Sequence, residues 1–147
     1  MNDVIEVIKG LETILIEVPE KFRQFSSSEI NLKPKPEKWS KKEILGHLCD
    51  SCLNNLHRLV LVQYEEKPFI KYNQDEWVKI QEYQDQPTEK VLDLWINLHH
   101  QFIQVLKSFP EEKLNSIINV GEEVTAEFVI TDYLRHQNHH LKQIFGA

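Results

Sequence analysis

Apolar side chains recur at helical spacing in four long stretches. In the first, from about Val4 to Phe25, the residues Val4, Ile8, Leu11, Leu15 and Val18 share one face, and Pro19 is placed to end or kink the helix. Ser26, Ser27 and Ser28, followed by Pro34 and Pro36, predict a loop. The second stretch has the clearest start. Ser40 is a good N-cap, Glu43 completes a capping box, and Trp39 and Ile44 stand at hydrophobic-staple spacing. The helix is expected to reach about Tyr64. Ile44, Leu45, Leu48, Cys52, Leu56 and Leu59 form its apolar arc. Beside that arc runs a polar stripe of His47, Ser51, Asn54 and Arg58, which is either a solvated face or the wall of a polar cleft.

The third stretch starts near Pro87-Thr88-Glu89 and ends at Phe109-Pro110, with Val91, Leu94, Trp95, Leu98, Phe102, Val105 and Phe109 on its core face. The fourth has Thr125 as N-cap and Glu127 at the positive end of the helix dipole, and runs to about Phe145. Its arc holds Ala126, Ile130, Tyr133, Leu134, Leu141 and Ile144. Glu65 to Gln86 is too long for a simple helical hairpin loop. It predicts a crossover between the second and third helices, with a short helix over Gln74 to Tyr83. Glu111 to Val124 reads as a loop turning at Gly121. The pattern predicts an all-α four-helix bundle in a single domain, residues 1–147.

Composition narrows the function classes. A chain of 147 residues can bury a sizeable core without disulfides or a structural metal. Its net charge of −6 argues against a nucleic-acid partner. The longest wholly aliphatic run, Leu59 to Val62, is far too short to span a bilayer. Met1 to Gly10 carries Asp3, Glu6 and Lys9 and lacks a signal-peptide pattern, so a cytoplasmic protein is expected. Cys49 and Cys52 lie three apart in one predicted helix and are expected to be reduced thiols rather than a disulfide.

Candidate chemistry concentrates on the histidines. His136 and His140 are four apart, so they stack on one face of the fourth helix, at the flank of its apolar arc. His47 flanks the arc of the second helix in the same way. The three either hold one divalent metal between facing helices or are polar boundary residues. Three imidazoles suit zinc, nickel or iron and leave coordination positions open. Asp50 and Asp132 are placed to orient an imidazole by hydrogen bonding. Asn54 and Arg58 on the polar stripe, with Tyr133 beside the histidines, are the candidate cleft residues. His99 lies at the edge of a core stripe, while His57, His100 and His139 read as surface residues.

An ordered set of motifs resembles the DinB/YfiT-like family over nearly the whole chain. It comprises Trp39-Ser40, Glu43, His47-Leu48-Cys49-Asp50-Ser51, Asn54, Arg58, Pro68-Phe69-Ile70, Asp75-Glu76-Trp77 and His136-Gln137-Asn138-His139-His140. The resemblance implies a four-helix bundle with a long crossover and one divalent metal held by His47, His136 and His140. It implies a small-molecule substrate. Some members are described as metal-dependent hydrolases and others as transferases that use low-molecular-weight thiols such as bacillithiol. No residue here matches an agreed family general base, so the catalytic residues stay unassigned. A metal enzyme and a non-catalytic metal-binding stress protein are both compatible with the sequence, and a homodimer stays open.

Overall fold

Two capping signals set the starts of the helices that carry the histidines. Ser40 Oγ accepts the Glu43 N–H at 3.1 Å, and Glu43 Oε1 accepts the Ser40 N–H at 3.0 Å. Thr125 Oγ1 accepts the Phe128 N–H at 3.1 Å. Each such cap contributes about 1 kcal/mol to its helix. In the computed structural model, which describes residues 2–146, the helices are α1 (Asn2–Phe22), α2 (Ser27–Asn31), α3 (Lys41–Leu61), α4 (Gln74–Gln81), α5 (Thr88–Lys107) and α6 (Ala126–Phe145). A small hairpin of β1 (Ile117–Asn119) and β2 (Glu123–Thr125) precedes α6. Met1 and Ala147, the ends of the expected 1–147 unit, lie outside the described residues.

The four long helices, α1, α3, α5 and α6, make the bundle. Their neighbours around the ring are α1–α5, α5–α3, α3–α6 and α6–α1. The Cys49 thiol lies 3.7 Å from the Val91 carbonyl, and Val60 near the end of α3 shares a surface hollow with Gln104 and Val105 near the end of α5, so α3 and α5 run parallel. Parallel neighbours cannot be joined by a tight turn, which is why residues 62–87 form a long crossover carrying α4. The expected crossover between the second and third long helices is therefore present. α3 and α6 run antiparallel, which brings the first turns of α3 against the last turns of α6. Leu11, Phe22, Leu45, Leu48, Trp95, Phe102, Ile130 and Ile144 are fully buried between the four helices.

Four local expectations are corrected. α1 ends at Phe22 rather than Phe25, and α3 at Leu61 rather than Tyr64. The serine run does not stay a loop: Ser26 and Glu29 form their own capping box and start the one-turn α2. The stretch before α6 is a hairpin, with Gly121 at φ 113° in its turn, a conformation that suits glycine. Beside this hairpin the crossover is pinned by Asn119 N–H to the Pro68 carbonyl at 2.9 Å and Ile70 N–H to the Asn119 carbonyl at 3.0 Å. Among the described residues, no helix is long and apolar enough to cross a membrane. Cys49 and Cys52 are free, buried thiols, and burial raises both, Cys52 to about 12.

Candidate metal centre

Antiparallel packing of α3 on α6 brings His47, His136 and His140 together. Each offers one ligand atom, and these atoms all lie within 4.8 Å of one another. Ring centroids are 5.3 Å apart for His47–His136, 4.7 Å for His47–His140 and 4.5 Å for His136–His140. The Nε2 atoms of His136 and His140 face each other at 3.1 Å. Two imidazole nitrogens on one tetrahedral zinc, each about 2.0–2.1 Å from it, would stand roughly 3.3 Å apart. His47 is fully buried, and neither of its ring nitrogens has a hydrogen-bond partner. Leaving a buried polar group unsatisfied costs about 1–3 kcal/mol. A divalent ion among the three rings would satisfy one of these nitrogens, so the residues present fit a metal.

The protonation states also fit. Burial, reinforced by His140 and His136, pushes His47 down to about 3. Burial and then His140 push His136 to about 4, and burial lowers His140. All three are neutral near pH 7, the form that ligates metals. Gln143 Oε1 lies 2.8 Å from His140 Nδ1. An amide oxygen can only accept, so Nδ1 carries the proton and Nε2 keeps its lone pair for the site. The Trp39 ring lies against His47, centroids 4.9 Å apart, and helps close the site from solvent. Neither Gln143 nor Trp39 was singled out as a site residue. Gln143 was legible, three residues beyond His140 and so on the same helix face.

A cleft leads from His136 along α3, lined by Ser51, Asn55, Arg58, Tyr72, Tyr133 and Asp132 among others. Arg58 of the polar stripe and Tyr133 beside the histidines both line it. Asn54 does not: it is buried, and its amide donates to the Asp50 carbonyl at 2.9 Å. At ~100° per residue Asn54 falls about 20° to one side of His47, whereas Ser51 and Asn55 fall to the other, which is the cleft side.

The two aspartates also differ from expectation. Asp50 Oδ1 accepts the Tyr83 hydroxyl and the Gln81 amide, both at 2.7 Å, because Asp50 is rotated about 60° from His47 toward the crossover. Its Oδ2 is buried without a partner, and burial raises its pKa. Asp132 lines the cleft and accepts Arg135 Nε and Nη2 at 2.8 and 2.7 Å. Neither carboxylate has a hydrogen bond to an imidazole among the described residues; Gln143 does that for His140.

Behind the site a polar chain crosses the core. His99 Nδ1 donates to the Trp95 carbonyl at 2.8 Å, which leaves Nε2 to accept the Tyr133 hydroxyl at 2.7 Å. The Gln137 amide donates to that hydroxyl at 3.1 Å. His99 is fully buried rather than at a core edge, and burial lowers it to about 4. In the unfolded chain it titrates near 6.5. The unfolded state therefore binds a proton that the folded state refuses, and stability falls as pH drops from about 6.5 toward 4. The loss from His99 alone should be about 2 kcal/mol at pH 5. Urea unfolding of metal-free protein at pH 7 and pH 5 checks this: His99→Gln should shrink the difference by that amount.

The DinB superfamily profile matches residues 17–144. The chain belongs to the DinB superfamily. A protein of Halalkalibacterium halodurans named "Putative metal-dependent hydrolase" is 31% identical over 112 residues, 74% of this chain and 65% of that protein. The chain thus spans just under two thirds of that relative. YfiT of Bacillus subtilis, which carries the same description, is 24% identical over 139 residues, 89% of this chain and 78% of YfiT. A solved structure of YfiT is described as a probable metal-dependent hydrolase with an unusual four-helix bundle topology. It superposes with a TM-score of 0.87 over 96% of this chain and 83% of YfiT, at 21% identity, and so shares the fold.

Proposed function

We propose that this DinB superfamily member is a metal-dependent enzyme acting on a small molecule. In this reading His47, His136 and His140 hold one divalent ion, zinc, nickel or iron, and leave coordination positions for the substrate. The reaction is a hydrolysis or a transfer to a low-molecular-weight thiol such as bacillithiol. The observation that carries the reading is His47: a fully buried imidazole with two unpartnered nitrogens, facing two further neutral imidazoles. When bound, the ion supplies Lewis acidity, favouring the deprotonated form of a water or thiol brought to it. Gln143 fixes the His140 ring, Trp39 limits water at His47, and the cleft delivers substrate beside His136. For hydrolysis the general base is Asp132, a cleft carboxylate; Asp50 is turned away. Thiol transfer needs no nucleophile from the chain, and Cys49 and Cys52, buried with raised thiols, supply none.

The test is metal-depleted protein reloaded with zinc, nickel or iron. Each form is assayed with bacillithiol, cysteine and other small thiols against electrophiles, and with activated esters and amides. One metal per chain and an activity that a chelator removes are expected. A protein that takes up no metal, or whose activity is indifferent to it, ends the proposal.

A further inference from the structure

Arg58 is more than nine-tenths buried, yet among the described residues no carboxylate lies within ion-pair distance of it. Its guanidinium donates Nε and Nη2 to the Ile70 carbonyl at 3.0 and 2.7 Å, and Nη1 to Asn55 Oδ1 at 3.0 Å. These bonds use three of its five N–H groups and hold the fork rigid against the crossover. The Tyr72 ring lies 5.8 Å from its Cζ. A buried cation is costly unless a counter-charge reaches it. Arg58 lines the same cleft as the ligand His136. The only carboxylate among the cleft residues, Asp132, is close to His136 in sequence and is tied to Arg135. The cleft thus has its fixed, uncompensated cation at the end away from the histidines.

We propose that Arg58 is the anion-docking residue of the cleft, and that the substrate is an elongated acid whose carboxylate sits on Arg58 while its reactive end meets the ion. This rests on the metal-enzyme reading and adds the substrate class. Arg58 lies eleven residues beyond His47, about 16 Å along α3, and its head leans back to Asn55. The carboxylate therefore sits on the order of 10 Å from the ion, too far for a compact acid to bridge.

The test uses zinc-loaded protein and calorimetric titration with thiols of increasing length: mercaptopropionate, ω-mercaptohexanoate and ω-mercaptooctanoate, each beside the matching mercapto-alcohol. The longer acids should bind roughly ten-fold or more tightly than their alcohols. Mercaptopropionate should show no such advantage. In Arg58→Gln the ratio of acid to alcohol affinity should fall to about one, and Arg58→Lys should keep part of the advantage. A purely structural Arg58 would weaken acid and alcohol alike. Equal binding of long acids and alcohols by the parent protein overturns the inference but leaves the metal reading intact, since the alcohols still report the ion. Equal advantage for short and long acids overturns it too, by placing the anion at the metal. If neither acids nor alcohols bind the zinc-loaded protein, the ion offers no position to a thiol, and the inference falls together with the thiol-transfer reading. These comparisons within the parent protein decide the matter even if Arg58→Gln fails to fold.

Discussion

His47→Leu should make the metal-free protein more stable, by about 1–3 kcal/mol, while abolishing metal binding. The imidazole is fully buried and both its nitrogens lack partners, so the metal-free fold carries an unsatisfied polar group that leucine removes. Buried Ile44, one turn back on α3, and the face of Trp39 can accept the aliphatic side chain. For a chain of this size, each kcal/mol moves the melting temperature by roughly 2–4 °C. The parent protein should regain the advantage only when loaded, because a ligand held by the folded state alone adds about 4 kcal/mol at a thousand times its dissociation constant. His136→Ala should lose the ion too, yet keep most of its helical content, because His136 is half-buried and leaves the core cluster intact. Circular dichroism melts with and without zinc, together with metal content, give both answers. A His47→Leu protein that melts well below metal-free parent would mean that the imidazole serves the fold. Wholesale unfolding of His136→Ala would make the metal structural and remove the main support for an enzyme.

The bundle was legible because its information is local. Ser40, Glu43 and Thr125 announce helix starts, and the apolar arcs repeat with helical period through α1, α3, α5 and α6. The juxtaposition of His47 with His136 and His140 could be anticipated because all three flank those arcs. What periodicity could not supply was the sense of the flank. Asn54 and Asn55 are adjacent in sequence, and only the position of the crossover decides that Asn55 faces the cleft while Asn54 turns to Asp50. The partner of Asp50 was hidden for the same reason: Tyr83 lies 33 residues away, just past the end of α4, and its direction depends on how the crossover packs on α3. The hairpin at β1 and β2 escaped because three-residue strands offer too few positions for an alternating pattern. Its strands are tied to the crossover through Asn119, whose partners Pro68 and Ile70 lie about fifty residues earlier in the chain.

Gly46→Ala should destabilise the protein although alanine is the better helix former. Gly46 lies inside α3, where the exchange alone would gain about 1 kcal/mol. A Cβ at this position would fall 2.3 Å from Tyr83 Cδ2 and 2.4 Å from its Cγ. Cγ lies on the axis about which the ring flips, so turning the ring in place cannot relieve the contact. Tyr83 is 2% exposed and anchored through its hydroxyl to Asp50 at 2.7 Å, so the ring can yield only by giving up that bond or by pushing the crossover off α3. Overpacking of this kind costs typically 1–3 kcal/mol and sometimes more, and here it comes with the loss of a buried hydrogen bond to a carboxylate. The net loss should reach about 2 kcal/mol, or several degrees in melting temperature. Because His47 is the next residue, the displaced α3 should also weaken zinc binding. The Tyr83→Ala background isolates the cause: with the ring removed, Gly46→Ala should turn stabilising by up to about 1 kcal/mol. Thermal melts of the two single variants and the double variant give the sign directly, and a Gly46→Ala cost that persists without the ring would place its origin elsewhere in α3.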